Sequence, residues 1–191
     1  MAAHREIEAF HANEFAVTAS APCAGPYDLG GATIESLLTD PAYPHPSYFS
    51  LLLAAYLPIY QLGDTLEELL APPYRSTLPP LLDGAHDWPL IEAAMPADPI
   101  AILRPDYQMD FRTNVNNPFR QALLANNTYA WTPNALVKMF HCRGDRDVVF
   151  ANAEVAYHSF TNRGACCVSV VDPGAPAQLN HQDCYNPSLN G

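Results

Sequence analysis

The residues best suited to proton transfer are Asp145, in the run Gly144-Asp145-Arg146-Asp147, and His181, between Asn180 and Gln182. An imidazole changes its charge near neutral pH, so it can take a proton and return it. A carboxylate bonded to one ring nitrogen fixes the tautomer and leaves the other nitrogen as a general base. Together they form the acid and base limbs of a nucleophilic triad. Each residue also has a plainer reading: Asp145 as a turn-forming carboxylate, His181 as an exposed loop histidine. Asp147 competes with Asp145 for the acid role, because the loop carries both carboxylates.

The elements needed to bring the two together are legible nearby. Residues 135–142 (ALVKMFHC) read as a strand, 151–164 as a helix stopped by glycine, and 165–172 (ACCVSVVD) as a second strand. Strand, helix and strand with a crossover of this length form a βαβ unit, whose strands are parallel. Catalytic groups in such sheets gather at the carboxyl ends of strands. Asp145 and His181 each follow a strand, so their loops open on one edge. Residues 15–22 (FAVTASAP) read as a third, buried strand, after an amphipathic helix over 2–12 that places Ile7 and Phe10 on one face. The expected fold class is α/β, with these three strands parallel in one sheet.

Residues 33–130 are mostly helical and punctuated by many of the chain's 19 prolines. Asp64 and Glu67 have capping-box spacing, and Asn117-Pro118 opens the cleanest helix, over 116–127. The richest apolar run, 47–62, is broken by Pro58 and is shorter than the roughly 20 residues a bilayer crossing needs. No signal peptide is legible, since Glu6 and Glu8 stand where its apolar stretch would be.

Composition narrows the function classes. With 49% hydrophobic and 15% charged residues, the chain can bury a core. Its net charge of −11 opposes nucleic acid and anionic surfaces, which call for clustered Lys and Arg. The histidines show no His-Glu-x-x-His or paired ligand spacing, so no metal and no cofactor is expected. Of the five cysteines, Cys142 and Cys184 flank the acid and base, and either pair or stay as buried thiols. Cys166 and Cys167 fall in the expected strand, where neighbouring side chains point to opposite faces, which argues against a mutual disulfide.

The run HCRGDRDVV (141–149) resembles the acid loop of the α/β-hydrolase fold, commonly His-Gly-x-x-Asp-x-x-Val-Pro, with Cys142 in the glycine place and Val149 in that of proline. In that register Asp145 is the triad acid, because Val148 follows it at the right offset. The segment 21–29 (APCAGPYDL), the helix with Asn152 after the acid loop, and NHQDCYNPSL (180–189) resemble the matching parts of bacterial secretory-lipase and esterase-like hydrolases. The resemblance implies a carboxylic-ester hydrolase acting on small-molecule or lipid esters, with Asp145 and His181 catalytic. It divides the chain into 1–32, the helix and strand after the nucleophile elbow; 33–132, a helical cap; and 133–191, the βαβ unit with acid and base loops.

The elbow itself, Gly-x-Ser-x-Gly, is absent from the sequence. The expectation is therefore the C-terminal portion of such an enzyme, inactive alone and prone to self-association through an exposed sheet edge. The competing reading is a non-catalytic binding module or pseudoenzyme of the same origin.

Overall fold

The computed structural model describes residues 1–40 and 43–189, with the side chains of 186–189 excepted. In chain order the α-helices are α1 (Ala2–Phe10), α2 (Ile34–Thr39), α3 (Ser47–Tyr60), α4 (Tyr74–Thr77), α5 (Trp88–Ala93), α6 (Pro105–Thr113), α7 (Pro118–Ala125), α8 (Ala151–Asn162) and α9 (His181–Leu189). The strands are β1 (Ala19–Ser20), β2 (Leu136–Phe140) and β3 (Val168–Val171). Two compact units result: Met1–Ile34 with Asn126–Gly191, and Glu35–Ala125.

The first unit holds the sheet, in the order β1-β2-β3 with both pairings parallel. The fold class is α/β, with the three strands parallel as expected. Val137 pairs with Val168 and Phe140 with Val171, so β2 and β3 end level and their following loops leave the same edge. Helix α8 is the crossover between them. Ala153, Ala156 and Phe160 recur at helical spacing and are buried with Val137, Met139 and Tyr27. The two alanines let the helix axis approach the sheet, and Phe160 fills the space beyond, edge-on to Trp131 at 5.8 Å.

Three details differ from the sequence expectation. Strand β1 spans only two residues, with Ala19 exposed, and is not the buried strand expected over 15–22. Pro22 has no N–H to give to a ladder. Pairing with β2 resumes beyond it, where Ala24 N–H donates to Phe140 O at 2.8 Å. In α1 the buried residue is His4, while Phe10 is 72% exposed. His4 is held by polar contacts, with Nε2 2.8 Å from Glu8 Oε1 and Nδ1 3.0 Å from Ser20 Oγ, and its ring meets Trp131 edge-on. Cys166 and Cys167 lie in a bend before β3, and their sulfurs are 2.8 Å apart. The alternation of a strand does not reach them, which removes the ground on which a mutual disulfide was discounted.

A buried amide network shapes the segment after β1. Asn152 Oδ1 accepts from Asp28 N–H at 2.9 Å and from Thr33 Oγ1 at 3.2 Å. Asn127 bridges Gly30 N–H and Asp28 Oδ1, both at 2.9 Å. Buried amides left without partners cost about 1–3 kcal/mol each, so the polar residues here are as constrained as the apolar ones.

In the helical unit, Phe49, Phe111 and Phe119 form an aromatic cluster with centroids 5.4–5.6 Å apart. Asn117 caps α7, its Oδ1 accepting from Phe119 N–H at 3.0 Å and Arg120 N–H at 3.2 Å. At the other capping position it is Glu68, not Glu67, whose carboxylate reaches back to Asp64 N–H, at 3.3 Å. Among the described residues no helix is long and apolar enough to cross a membrane.

These packing relations set a stability contrast. Phe160→Ala empties a fully buried position and is expected to cost about 3–5 kcal/mol. Phe10→Ala should stay within about 0.5 kcal/mol of the parent. Urea denaturation of the two variants measures both.

Candidate active site

The chain leaves β2 through His141 and Cys142 and turns at Arg143 and Gly144, where Asp145 N–H donates to Cys142 O at 3.2 Å. Asp145 Oδ1 accepts the backbone N–H groups of Asp147 at 3.0 Å and Val148 at 2.9 Å, closing the turn from within. The turn-forming reading of this carboxylate is therefore accurate for one of its oxygens. The other, Oδ2, lies 2.7 Å from His181 Nδ1. The two roles coexist because a carboxylate has lone pairs for four donors.

The structure brings together Asp145 and His181, the acid and base candidates. His181 is not in an open loop but is the first residue of α9. Asn180 makes that start: its Oδ1 accepts Asp183 N–H at 2.9 Å and its carbonyl accepts Cys184 N–H at 3.0 Å. With the helix begun there, His181 and Cys184 share a face one turn apart. Tyr185 stands edge-on to the His181 ring at 5.3 Å. The expected proline of this segment, Pro187, has its side chain outside the described residues.

Cys142 and Cys184 are joined in a disulfide across 42 residues. Cys142 precedes Asp145 by the same three positions that separate His181 from Cys184, so the covalent link joins the same two segments as the acid–base contact. Of the two readings the sequence left open, the paired one holds. In the chain-entropy treatment a loop of this length contributes about 4 kcal/mol to stability.

Two residues with a part in the site were not assigned one from sequence. His141, fully buried, places Nε2 2.6 Å from Val148 O and 3.4 Å from Asp145 Oδ2. A carbonyl can only accept, so Nε2 carries the hydrogen, and Asp145 receives a second imidazole N–H dipole. Gly144 is the other. A Cβ there would sit 2.5 Å from Gln178 O and 2.8 Å from Leu179 O, so only glycine lets the acid loop touch the backbone leading to His181. The signals in the sequence were that His141 opens the acid-loop pattern, four residues before Asp145, and that Gly144 immediately precedes Asp145.

The electrostatics follow from these contacts. Burial on its own would raise the Asp145 pKa, but hydrogen bonds from His141, His181 and Val148 N–H outweigh it and hold the carboxyl at about 2. The Asp145 hydrogen bond raises the His181 pKa, against a smaller opposing effect of burial, and the charges of Asp145 and Asp147 add to the rise. With Asp145 ionised, Nδ1–H must donate to it, which leaves the Nε2 lone pair as the base in neutral His181. The raised pKa means that this base form fills at higher pH than in an unperturbed histidine. Stability carries the matching signs: the His181 contribution is complete below its unfolded pKa and is lost as pH rises through the folded one. The Asp145 contribution is present above its unfolded pKa and is lost as pH falls towards about 2.

Comparison with known proteins gives likeness in structure. The chain is similar to a rice cell wall degrading esterase, LipA, from Xanthomonas oryzae, with a TM-score of 0.81 and 28% identity over 99% of this chain and 51% of the other. A ligand-bound form of the same esterase gives 0.79 and 27%, over 98% of this chain and 50% of that one. A protein described as a hydrolase from Legionella pneumophila gives 0.78 and 26%, over 97% and 48%. The chain thus spans about half the length of each solved structure. No family profile and no curated protein sequence matches it.

The pairing is open to direct titration. The His181 ring proton resonances should titrate with a midpoint above 6.5 in the parent chain. Asp145→Asn should lower that midpoint, and Asp147→Asn should lower it less. An equal response to the two substitutions would assign the acid role to the loop as a whole, against Asp145 in particular.

Proposed function

We propose that this chain carries the acid and base of a serine-type carboxylic-ester hydrolase. In this reading it corresponds to the C-terminal portion of the enzyme, and sequence outside these 191 residues supplies the nucleophile. The observation that carries the reading is the 2.7 Å contact between His181 Nδ1 and buried Asp145, which presents Nε2 as a base. The structural likeness to an esterase over half of its length supports both parts of it.

The roles follow from the geometry. His181 Nε2 takes the proton of a serine hydroxyl as that oxygen attacks the ester carbonyl, then returns it to the leaving alkoxide. Asp145 stabilises the imidazolium formed in between and keeps the ring in the required tautomer. Backbone N–H groups near the nucleophile would hold the oxyanion. Residues 33–132, most of which fall in the separate unit Glu35–Ala125, are read as the helical cap of such an enzyme.

A second reading has one observation in its favour: among the described residues no hydroxyl or thiol is hydrogen-bonded to the His181 ring. On that reading the chain is a pseudoenzyme or binding module of hydrolase origin.

One pair of assays separates the two. The 191-residue chain should neither turn over short-chain p-nitrophenyl esters nor be labelled by a fluorophosphonate. A chain extended upstream through a Gly-x-Ser-x-Gly elbow should do both, and His181→Ala should then lower kcat by roughly 10⁴-fold or more. An extended, folded chain that stays unlabelled would favour the binding module. The same proposal predicts that the short chain self-associates through β1, an outer strand of the sheet, with sedimentation coefficients that rise with concentration.

A further inference from the structure

Cys166 and Cys167 take no part in the acid–base site. Both are exposed, and their sulfur atoms lie 2.8 Å apart in the bend between the end of α8 and the start of β3. The backbone on either side is fastened. Gly164 reverses the chain at φ 93°, Ala165 N–H donates to Phe160 O at 3.0 Å, and Cys167 O accepts Val137 N–H at 2.9 Å. The two thiols therefore face each other because their surroundings hold them so. They also share a chain with a formed disulfide, Cys142–Cys184, which belongs to an oxidising compartment.

We propose that Cys166 and Cys167 form a reversible vicinal disulfide by exchange with a low-molecular-weight disulfide. One cysteine thiolate attacks a sulfur of the small disulfide, giving a mixed disulfide and one released small thiolate. The other cysteine then loses its proton, and its thiolate attacks the protein sulfur of that mixed bond. The S–S bond closes between Cys166 and Cys167, and the second small thiolate leaves. Two electrons pass from the cysteines to the small disulfide, and the two thiol protons end on the two thiols released.

The closing step is intramolecular, with the second sulfur already in contact, so it outruns capture of another small molecule. A hydrogen bond with Cys166, and then its charge, push the Cys167 thiol up. Cys142 and Cys184 differ in both respects that govern lability: they are buried, at 0% and 1% exposure, and their bond closes a long loop. The vicinal bond is exposed and closes only a small ring, with no intervening residues. It should therefore open under much milder reduction, while the Cys142–Cys184 link stays intact.

The test equilibrates the full chain with a series of reduced-to-oxidised glutathione ratios, quenches with acid, alkylates with N-ethylmaleimide and maps unreduced tryptic peptides. Cleavage after Lys138, Arg143 and Arg163 leaves the Cys142 peptide linked to the peptide that begins at Gly164. At oxidising ratios this linked pair should carry no label and lack two hydrogens. It should gain two labels together at ratios at least about tenfold less reducing than those that break Cys142–Cys184. Cys166→Ser and Cys167→Ser should each hold a glutathione adduct on the remaining cysteine. The proposal is overturned if both thiols are labelled at every ratio. It is equally overturned if adducts accumulate on the parent chain without ring closure, or if either cysteine pairs with Cys23 or with a second chain.

Discussion

The site depends on a buried charge. Asp145 is 3% exposed, and an ionised carboxylate withdrawn from water is tolerated only with partners around it. Here the two oxygens are met by two backbone N–H groups and two imidazoles. The backbone donors come from the loop's own turn, so the carboxylate shapes the loop that buries it. The imidazoles come from the end of β2 and the start of α9, so the same charge fastens an element 36 residues away. Take away the carboxylate and the turn loses its acceptor, His181 its anchor and His141 one of its neighbours.

Preorganisation of the base is built at several levels. Level parallel strand ends put both loops on one edge. Gly144 permits backbone contact between the loops, and the Asn180 cap starts α9 where His181 faces inward. The disulfide then closes the assembly covalently, one helical turn from the base. The weakest of these is a hydrogen bond worth about 1 kcal/mol net, and the strongest a cross-link of about 4 kcal/mol. Because every one of them lies within the unit of Met1–Ile34 and Asn126–Gly191, the imidazole is aimed by residues local to that unit.

The legible parts of this arrangement were those written in period and punctuation. The β2-α8-β3 succession could be read because β-branched runs, a helical alanine and phenylalanine spacing, and a stopping glycine agree with one another. From it, the convergence of Asp145 and His181 followed, and the acid-loop register chose Asp145 over Asp147. What the sequence hid were contacts that depend on tertiary geometry. Nothing local distinguishes His141 as a donor to a carboxylate, or Gly144 as a point of backbone contact. The burial of His4 and the exposure of Phe10 reverse the hydrophobic pattern of α1, because two hydrogen bonds and an aromatic edge hold the histidine in place. Cys166 and Cys167 were misread for a related reason. The run ACCVSVVD has strand composition throughout, yet its first residues still belong to the turn out of α8, where alternation does not apply.

The histidine tautomers tie these levels together. His181 must donate through Nδ1 to an ionised partner, and His141 must donate through Nε2 to a carbonyl. Neither choice is set by the imidazole, since both tautomers are close in energy in water. Each is imposed by the acceptor that the fold places opposite the ring. For His181 the consequence is chemical, because the nitrogen left over is the one that can take a proton from a nucleophile. For His141 it is electrostatic: its N–H points towards the same Oδ2 that binds His181, lowering the basicity of that oxygen and keeping the proton on His181 when the pair is charged. A carboxylate held at about 2 beside an imidazole raised above its ordinary value is thus one arrangement seen from its two ends. On the proposed function, the negative charge stays on Asp145 and the proton moves on and off the outer nitrogen of His181.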